Sequence, residues 1–483
     1  MAFAPHVPPF AALLAWVPIS LFFFYRRPAR VALLITFVAG WALLPTANFR
    51  PTDNPFPYWI LGVCLPAGYF VTKATMTGLA GLLGVLLFDG RSLRRFRFSV
   101  WDVPMMLWCI VPLLSGAANH SAYQGALRAG VRGMAYQILA WGVPYLLGRM
   151  YFRDNASLAL AAKAFVIAGL CYVPICLIEL CAGPQLYAHV YGYQPYRWLG
   201  AERYIGFRPI GFLEDGNQLG IWMAAATLSA AGLWKEHRAL RVFGLPIGWA
   251  GIVLFCATML CQSAGSILFL VWLLPLVLVS SLAFRRGLVI AFAVLVLAFA
   301  GLRLANVISV RQLVDSGGPA RAAASFLARV GRQSFGWRLA QDERHVRTAL
   351  ARPALGWGGW DWWRNGEGRP WGLWLLAYGM YGGVGLLALE GLQFLPVMGA
   401  AWLPAARDEL SYEEPYEEEI EAARAHSREN GVRLGWAAAI LLAAIDNLLN
   451  CGMILPLVLA IGGMSVWTTA ARYREAEVVV ELL

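Results

Sequence analysis

Lysine is almost missing from this 483-residue chain. It occurs only at Lys73, Lys163 and Lys235, so arginine supplies nearly all of the 39 basic side chains behind a net charge of +11. Charge of either sign is sparse, at 14% of residues against 59% apolar ones, and mean hydropathy is +0.58. A water-exposed globular surface cannot be built from that balance, because too little polar side chain is available to cover it. The composition excludes a soluble enzyme and requires most of the surface to face lipid.

Paired cysteines are missing too. The eight cysteines sit singly in apolar runs, without the C-x-x-C or Cys/His spacings of zinc or haem attachment, and read as small membrane-facing hydrophobes. There is no G-x-x-x-x-G-K-[ST] phosphate loop, no nucleotide-binding glycine turn and no visible internal repeat, which argues against an ATP-driven pump. No metal, cofactor or nucleic-acid partner is expected. A cleavable leader is not evident either: Met1–Pro9 is not basic, and the first apolar stretch runs into Arg26, Arg27 and Arg30 rather than a small-residue cleavage site.

What is present is a succession of apolar runs. At roughly 20 residues per crossing, the pattern predicts an all-α, polytopic bundle of about 12–13 transmembrane helices. The divisions are N-terminal helices (1–182), an external arginine-bearing segment (183–218), central helices (219–308), a large external loop (309–370), one helix (371–402), an acidic loop (403–433), a C-terminal hairpin (434–470) and a tail (471–483). If the spans alternate, Arg26/Arg27/Arg30, Arg91/Arg94/Arg95/Arg97, Arg149/Arg153, Lys235/Arg238/Arg241 and Arg285/Arg286 share one side, which the basic-loop rule makes cytoplasmic. The acidic run 408–421 then lies on that side as well. Asp446, Asn447 and Asn450 interrupt the last pair of spans; they are too costly to face lipid, so they should face the interior or close a turn at its edge.

The two outer segments hold the unusual chemistry. The loop 309–370 carries Arg311, Arg321, Arg329, Arg332, Arg338, Arg344, Arg347, Arg352, Arg364 and Arg369 against only Asp315, Asp342, Glu343, Asp361 and Glu367. Arginine keeps its charge and presents a planar fork that matches phosphate oxygens, so such a cluster beside a membrane suits a phosphate or diphosphate head group. The plainer alternative is a solvated face against anionic lipid. Trp337, Trp357, Trp360, Trp362, Trp363 and Trp371 fit an interfacial aromatic belt, with stacking on sugar rings as the alternative. The segment 203–220 brings Arg203, Arg208, Glu214, Asp215 and Asn217 to the start of an apolar helix, where Asn217 reads most simply as a cap and Gly211 as a turn or close approach.

Arg208, Gly211, Phe212 and Asn217, just ahead of a span, resemble the signature of the bacterial O-antigen ligase and O-antigen polymerase superfamily. Trp337-Arg338, the run Pro353-Ala354-Leu355-Gly356-Trp357-Gly358, and the helix opening at Leu373 with Gly379 and Gly382 are similar to the family's later segments. The likeness covers most of 202–387; earlier spans match only in general character. One departure stands out: ligases of this family carry a histidine at the end of the loop, where this chain has Arg369-Pro370-Trp371. That leaves the ligase-or-polymerase subtype and the general base open.

The resemblance implies a lipid-dependent, GT-C-like glycosyltransferase of the bacterial inner membrane, its large loop periplasmic. It would take glycan from an undecaprenyl-diphosphate-linked donor and pass it to a glycan or lipid-sugar acceptor, with membrane lipid and other polysaccharide-assembly proteins as partners. Arg208 and Arg338 are expected to clamp the diphosphate, with Arg203 and Arg369 adding to it or forming ion pairs with Glu202, Glu214 or Glu367. Glu214, Asp215 and Asn217 would contact substrate. His345, Glu214 and Asp215 are the candidate bases, although Gln341-Asp-Glu-Arg-His-Val-Arg347 also reads as a solvated amphipathic turn. A transporter or flippase for a lipid-linked saccharide is the rival reading; such proteins often show repeats and broken helices.

Overall fold

The computed structural model describes residues 6–46, 70–94, 96–121, 124–193, 202–305, 318, 321–322, 325, 334–359, 362–363, 370–402, 430–451 and 453–465. Arg369, Trp360, Arg364, Glu367, Cys64, the acidic run 408–421 and the tail 471–483 lie outside them. The described chain is mostly helical. In order come α1 Pro9–Arg26, α2 Ala29–Leu43, α3 Lys73–Phe88, α4 Val100–Ala118, α5 126–151, α6 Asn155–Ala182, the short α7 Leu186–Tyr191, α8 Gly216–Glu236, α9 Ile247–Leu260, α10 Ala264–Leu278, α11 Leu282–Leu304, α12 Ser334–Leu350, α13 Leu373–Trp402, α14 Gly431–Asp446 and α15 Leu455–Met464. Helices α2 and α5 each contain a π-helical turn, at Ile35–Ala39 and Ile138–Gly142.

Five helices, α1, α4, α6, α11 and α13, are long and apolar enough to cross a membrane; α2, α3, α9, α10 and α15 are apolar but shorter. The expected 12–13 spans are therefore represented by five helices of full length and a set of shorter ones. A hairpin pairs Arg241–Val242 with Leu245–Pro246 ahead of α9. Arg285 and Arg286, expected in a short loop, instead lie in the first turn of α11. Ser281 caps that helix by accepting from Phe284 N–H, and Arg285 Nε donates to Val279 O, in the connection ahead of the helix, at 2.8 Å. The cysteines divide: Cys176, Cys261 and Cys451 are buried in protein, whereas Cys171, Cys181 and Cys256 are exposed as expected.

Helix α8 occupies the centre. Its residues are apolar on every side and nearly all are buried, against α14, α9, α6 and α10. It meets α14 backbone to backbone: a Cβ on Gly232 would come within 2.6 Å of Gly431 O, and one on Gly435 within 2.8 Å of Leu228 O. Small residues permit this approach where apolar side chains give helices no preference for one another over lipid. Because the end of α8 meets the start of α14, the pair is antiparallel. The beginning of α8 (215–217) is thereby carried to the end of α14 (446–450).

Helix α13 is broken at Gly382, whose φ of 65° and ψ of −161° are not helical. A strap formed by 353–358 fills the break. Trp357 N–H donates to Gly379 O at 2.9 Å, Gly358 N–H to Met380 O at 2.9 Å, and Gly383 N–H to Pro353 O at 2.7 Å. Asn119 Nδ2 of α4 donates to Gly356 O at 3.0 Å, and Ser115 Oγ to Leu355 O. Backbone groups that a break would leave bare at membrane depth are thus paired within the protein.

Candidate functional site

The segment ahead of α8 is tied down from below. Glu179, near the end of α6, accepts from Ile210 and Gly211 N–H, both at 2.7 Å, and from Leu186 N–H at 3.3 Å. Gly211 has φ of 61°, and a Cβ there would lie 2.7 Å from the Tyr172 ring, so both the turn and the close approach require glycine. The cap of α8 is Asp215, whose Oδ1 accepts from Gln218 N–H at 2.8 Å. Asn217 is therefore not the cap; it stands in the first turn with its amide free for other work. Gly216 leaves the room through which the Arg208 side chain passes.

Two asparagines join the two arginines. Arg208 Nη2 donates to Asn217 Oδ1 at 2.6 Å, Asn217 Nδ2 reaches Asn450 Oδ1 at 3.4 Å, and Arg338 Nη1, arriving from α12, donates to the same Asn450 oxygen. Asn450 Nδ2 in turn donates to Asp446 Oδ1 at 2.8 Å, and Ser263 Oγ to Asn217 Oδ1 at 3.2 Å. Asp215, Asn217, Gln218, Ile221, Trp371, Asp446, Asn450 and Cys451 line a narrow cleft on this network.

Neither Arg208 nor Arg338 forms an ion pair with a carboxylate among the described residues. Each also buries its Nε without a hydrogen-bond partner. Burial lowers the Arg208 guanidinium to about 10; Asp215 opposes the shift, and Arg203 and Arg338 add to it. The group stays charged at neutral pH. Two cations with donors to spare, held against each other by neutral amides, form an arrangement that an anion would complete.

Asp446 was read as an interior polar residue or part of a turn, and it is both. It is 3% exposed, ends α14, and keeps Oδ2 buried without a partner, within Coulomb reach of Arg338, Asp215 and Arg208. Asn447, beside it, donates to Gln393 Oε1 at 2.8 Å. Glu214 does not line the cleft. It is buried, Lys73 is the cation that acts on it, and burial raises its carboxyl well above the ordinary range despite that cation. Arg203 sits in a tight turn, 202–207, near Arg208.

His345 is not on a solvated turn. It is 1% exposed, its ring packed 6.1 Å from that of Trp362 and 6.4 Å from that of Trp363, and its Nε2 has no hydrogen-bond partner. Burial and the neighbouring Arg344 lower its pKa. Two turns of α12 separate it from Arg338. Between them Asp342 accepts from Trp371 N–H and, at 3.3 Å, from Gly372 N–H, which docks α12 on the start of α13. Burial raises the Asp342 carboxyl to about 6, with those two hydrogen bonds, Arg303 and Arg338 opposing.

Asn450, Ser263 and Asp342 were not singled out from sequence as parts of the site. Only the polar interruption at 446–450 signalled any of them. No group of three or more His, Cys, Asp and Glu side chains converges as a metal site among the described residues. Fold and site together define a helical, membrane-type bundle with a small cleft whose asparagines, Asn217 and Asn450, each hold a buried arginine. No family model, curated protein or solved structure matches the chain.

Proposed function

We propose that this chain is a metal-independent, inverting glycosyltransferase of bacterial surface-polysaccharide assembly. It transfers or polymerises glycan from an undecaprenyl-diphosphate-linked donor at the periplasmic face of the inner membrane. The observation that carries the reading is the meeting of Arg208 and Arg338 on one asparagine bridge, with donors unspent and no carboxylate paired to either. The motif resemblance at 208–217 and 337–382 supports it from the sequence side.

In the reaction, the oxygen of an acceptor hydroxyl attacks the anomeric carbon of the donor. The bond from that carbon to the lipid diphosphate breaks, its electron pair leaving with the diphosphate, and the hydroxyl proton passes to a base. Fixed cations placed where the negative charge develops lower the barrier most when they need not reorganise. Arg208 and Arg338 fill that role. For the base, the geometry favours Asp446 or Asp215, which line the cleft, over His345 behind its tryptophans and Glu214 beside Lys73.

A transporter of lipid-linked saccharide draws support from the broken helix α13, yet that break is filled by the strap 353–358 instead of opening on a cavity. The two readings separate in detergent. The purified chain, given lipid-linked donor and acceptor without any sealed membrane, should form glycosidic product, and Arg208→Ala and Arg338→Ala should each lower the rate by about 10²–10³-fold. A wild-type protein that makes no product in detergent but moves donor across vesicles would overturn the assignment.

A further inference from the structure

The cleft accounts for a diphosphate but not for what the diphosphate carries. At its rim stands an aromatic pair. Trp371 lines the cleft and is fixed twice: its N–H is held by Asp342, and the Arg338 guanidinium lies over its ring at 5.2 Å. Trp337 meets that ring edge-on, with centroids 5.2 Å apart and planes at 63°, and remains 50% exposed.

Charged side chains surround the pair. Helix α12 carries Arg338, Asp342, Glu343, Arg344 and Arg347, and Trp337 directly precedes a clamp residue. An exposed indole in such surroundings presents a flat apolar face beside water, the surface that the C–H face of a pyranose ring covers. A sugar linked to a diphosphate is separated from phosphorus by one bridging oxygen, so a ring whose phosphates sit on Arg338 cannot be far from Trp337. The donor's first sugar reaches this place before any acceptor residue does.

We propose that Trp337, braced by Trp371, is a saccharide subsite that stacks the first sugar of the diphosphate-linked donor. This rests on the reading of the cleft as a diphosphate site and extends it to the sugar end. Trp337 contributes affinity for the glycan; the arginines contribute affinity for the phosphates.

The test compares two probes on the full-length protein in detergent: undecaprenyl diphosphate alone, and undecaprenyl diphosphate bearing one N-acetylglucosamine or glucose. Wild type should bind the sugar-bearing lipid more tightly. Trp337→Ala should weaken binding of that lipid by about tenfold while leaving the bare diphosphate unchanged, and Trp337→Phe should restore most of the loss. The position is exposed and helical, so alanine keeps the fold, and an unchanged unfolding temperature checks this. Equal loss for both lipids would mark Trp337 as an interfacial anchor and overturn the subsite, as would no loss for either. If Arg208→Ala leaves bare diphosphate binding intact, it is the clamp reading that fails, whatever Trp337 does.

Discussion

Three arginines of this chain show what separates a structural guanidinium from one that waits for a ligand. Arg149, in α5, is closed on itself: Nε meets Asp102 Oδ1 at 2.7 Å, Nη2 reaches Ser99 Oγ at 3.0 Å, and Tyr145 Oη donates to the same carboxylate at 2.9 Å. Arg208 and Arg338, equally withdrawn from water, have amide oxygens in place of carboxylates and leave Nε bare. The first arrangement neutralises a buried charge where it stands. The second keeps positive potential at a cleft, at a cost in stability that only an arriving anion offsets.

The contrast predicts opposite consequences for the same substitution. Arg208→Ala and Arg338→Ala should abolish most activity yet leave the unfolding temperature unchanged or raised, since each removes one of two neighbouring like charges. Arg149→Ala should destabilise by roughly 3–5 kcal/mol, because Asp102 is left buried and unpaired, while the protein that stays folded keeps its turnover. Thermal unfolding in detergent beside a transfer assay reads both. Loss of stability at Arg208 with normal turnover would erase the distinction.

A smaller effect should follow at the bridge. Asn450→Ala removes the oxygen on which Arg338 and Asn217 converge and frees Asp446. Misplacing the clamp in this way should lower the transfer rate by about 10–100-fold with both arginines still present. An unchanged rate would mean that the bridge holds nothing the reaction uses.

The smallest effect concerns the strut between the regions. Asp342 is held near 6, above the ordinary 3.8, so the folded chain keeps a proton that the unfolded chain has released. Its contribution to stability is full below about pH 4, falls as pH rises to about 6 and is flat above, a change of the order of 2–3 kcal/mol at most. Asp342→Asn should remove that slope from unfolding measured between pH 4 and 7. An identical slope in the variant would assign it elsewhere.

Much of this was legible in the chain. The membrane character followed from scarce charge, and the starts of α8, α13 and α14, expected near 219, 371 and 434, fall at Gly216, Leu373 and Gly431. Arg208 and Arg338 were singled out because the R-x-x-G-F run and the Trp-Arg pair resemble motifs of the O-antigen ligase and O-antigen polymerase superfamily. What joins them was not legible: Asn450 lies 233 positions from Asn217, a gap closed by the glycine-mediated antiparallel packing of α8 on α14, and 112 from Arg338, a gap closed by the docking of α12 on the start of α13 through Asp342. His345 misled for a related reason. The polar run around it looks solvated on α12 alone, and it is Trp362 and Trp363, brought in from the loop, that bury it. The first turn of α11 hid in the same way, since Arg285 lies inside the helix and turns back to a carbonyl of the segment ahead of it.

The central claim is that Arg208 and Arg338 grip one diphosphate together. A double-mutant cycle on the affinity of full-length protein for undecaprenyl diphosphate, with Arg208→Ala, Arg338→Ala and the pair, tests it most directly. The account predicts that each single change removes most of the affinity that the double change removes, a strong departure from additivity. Additive losses, or no loss at either position, would contradict it.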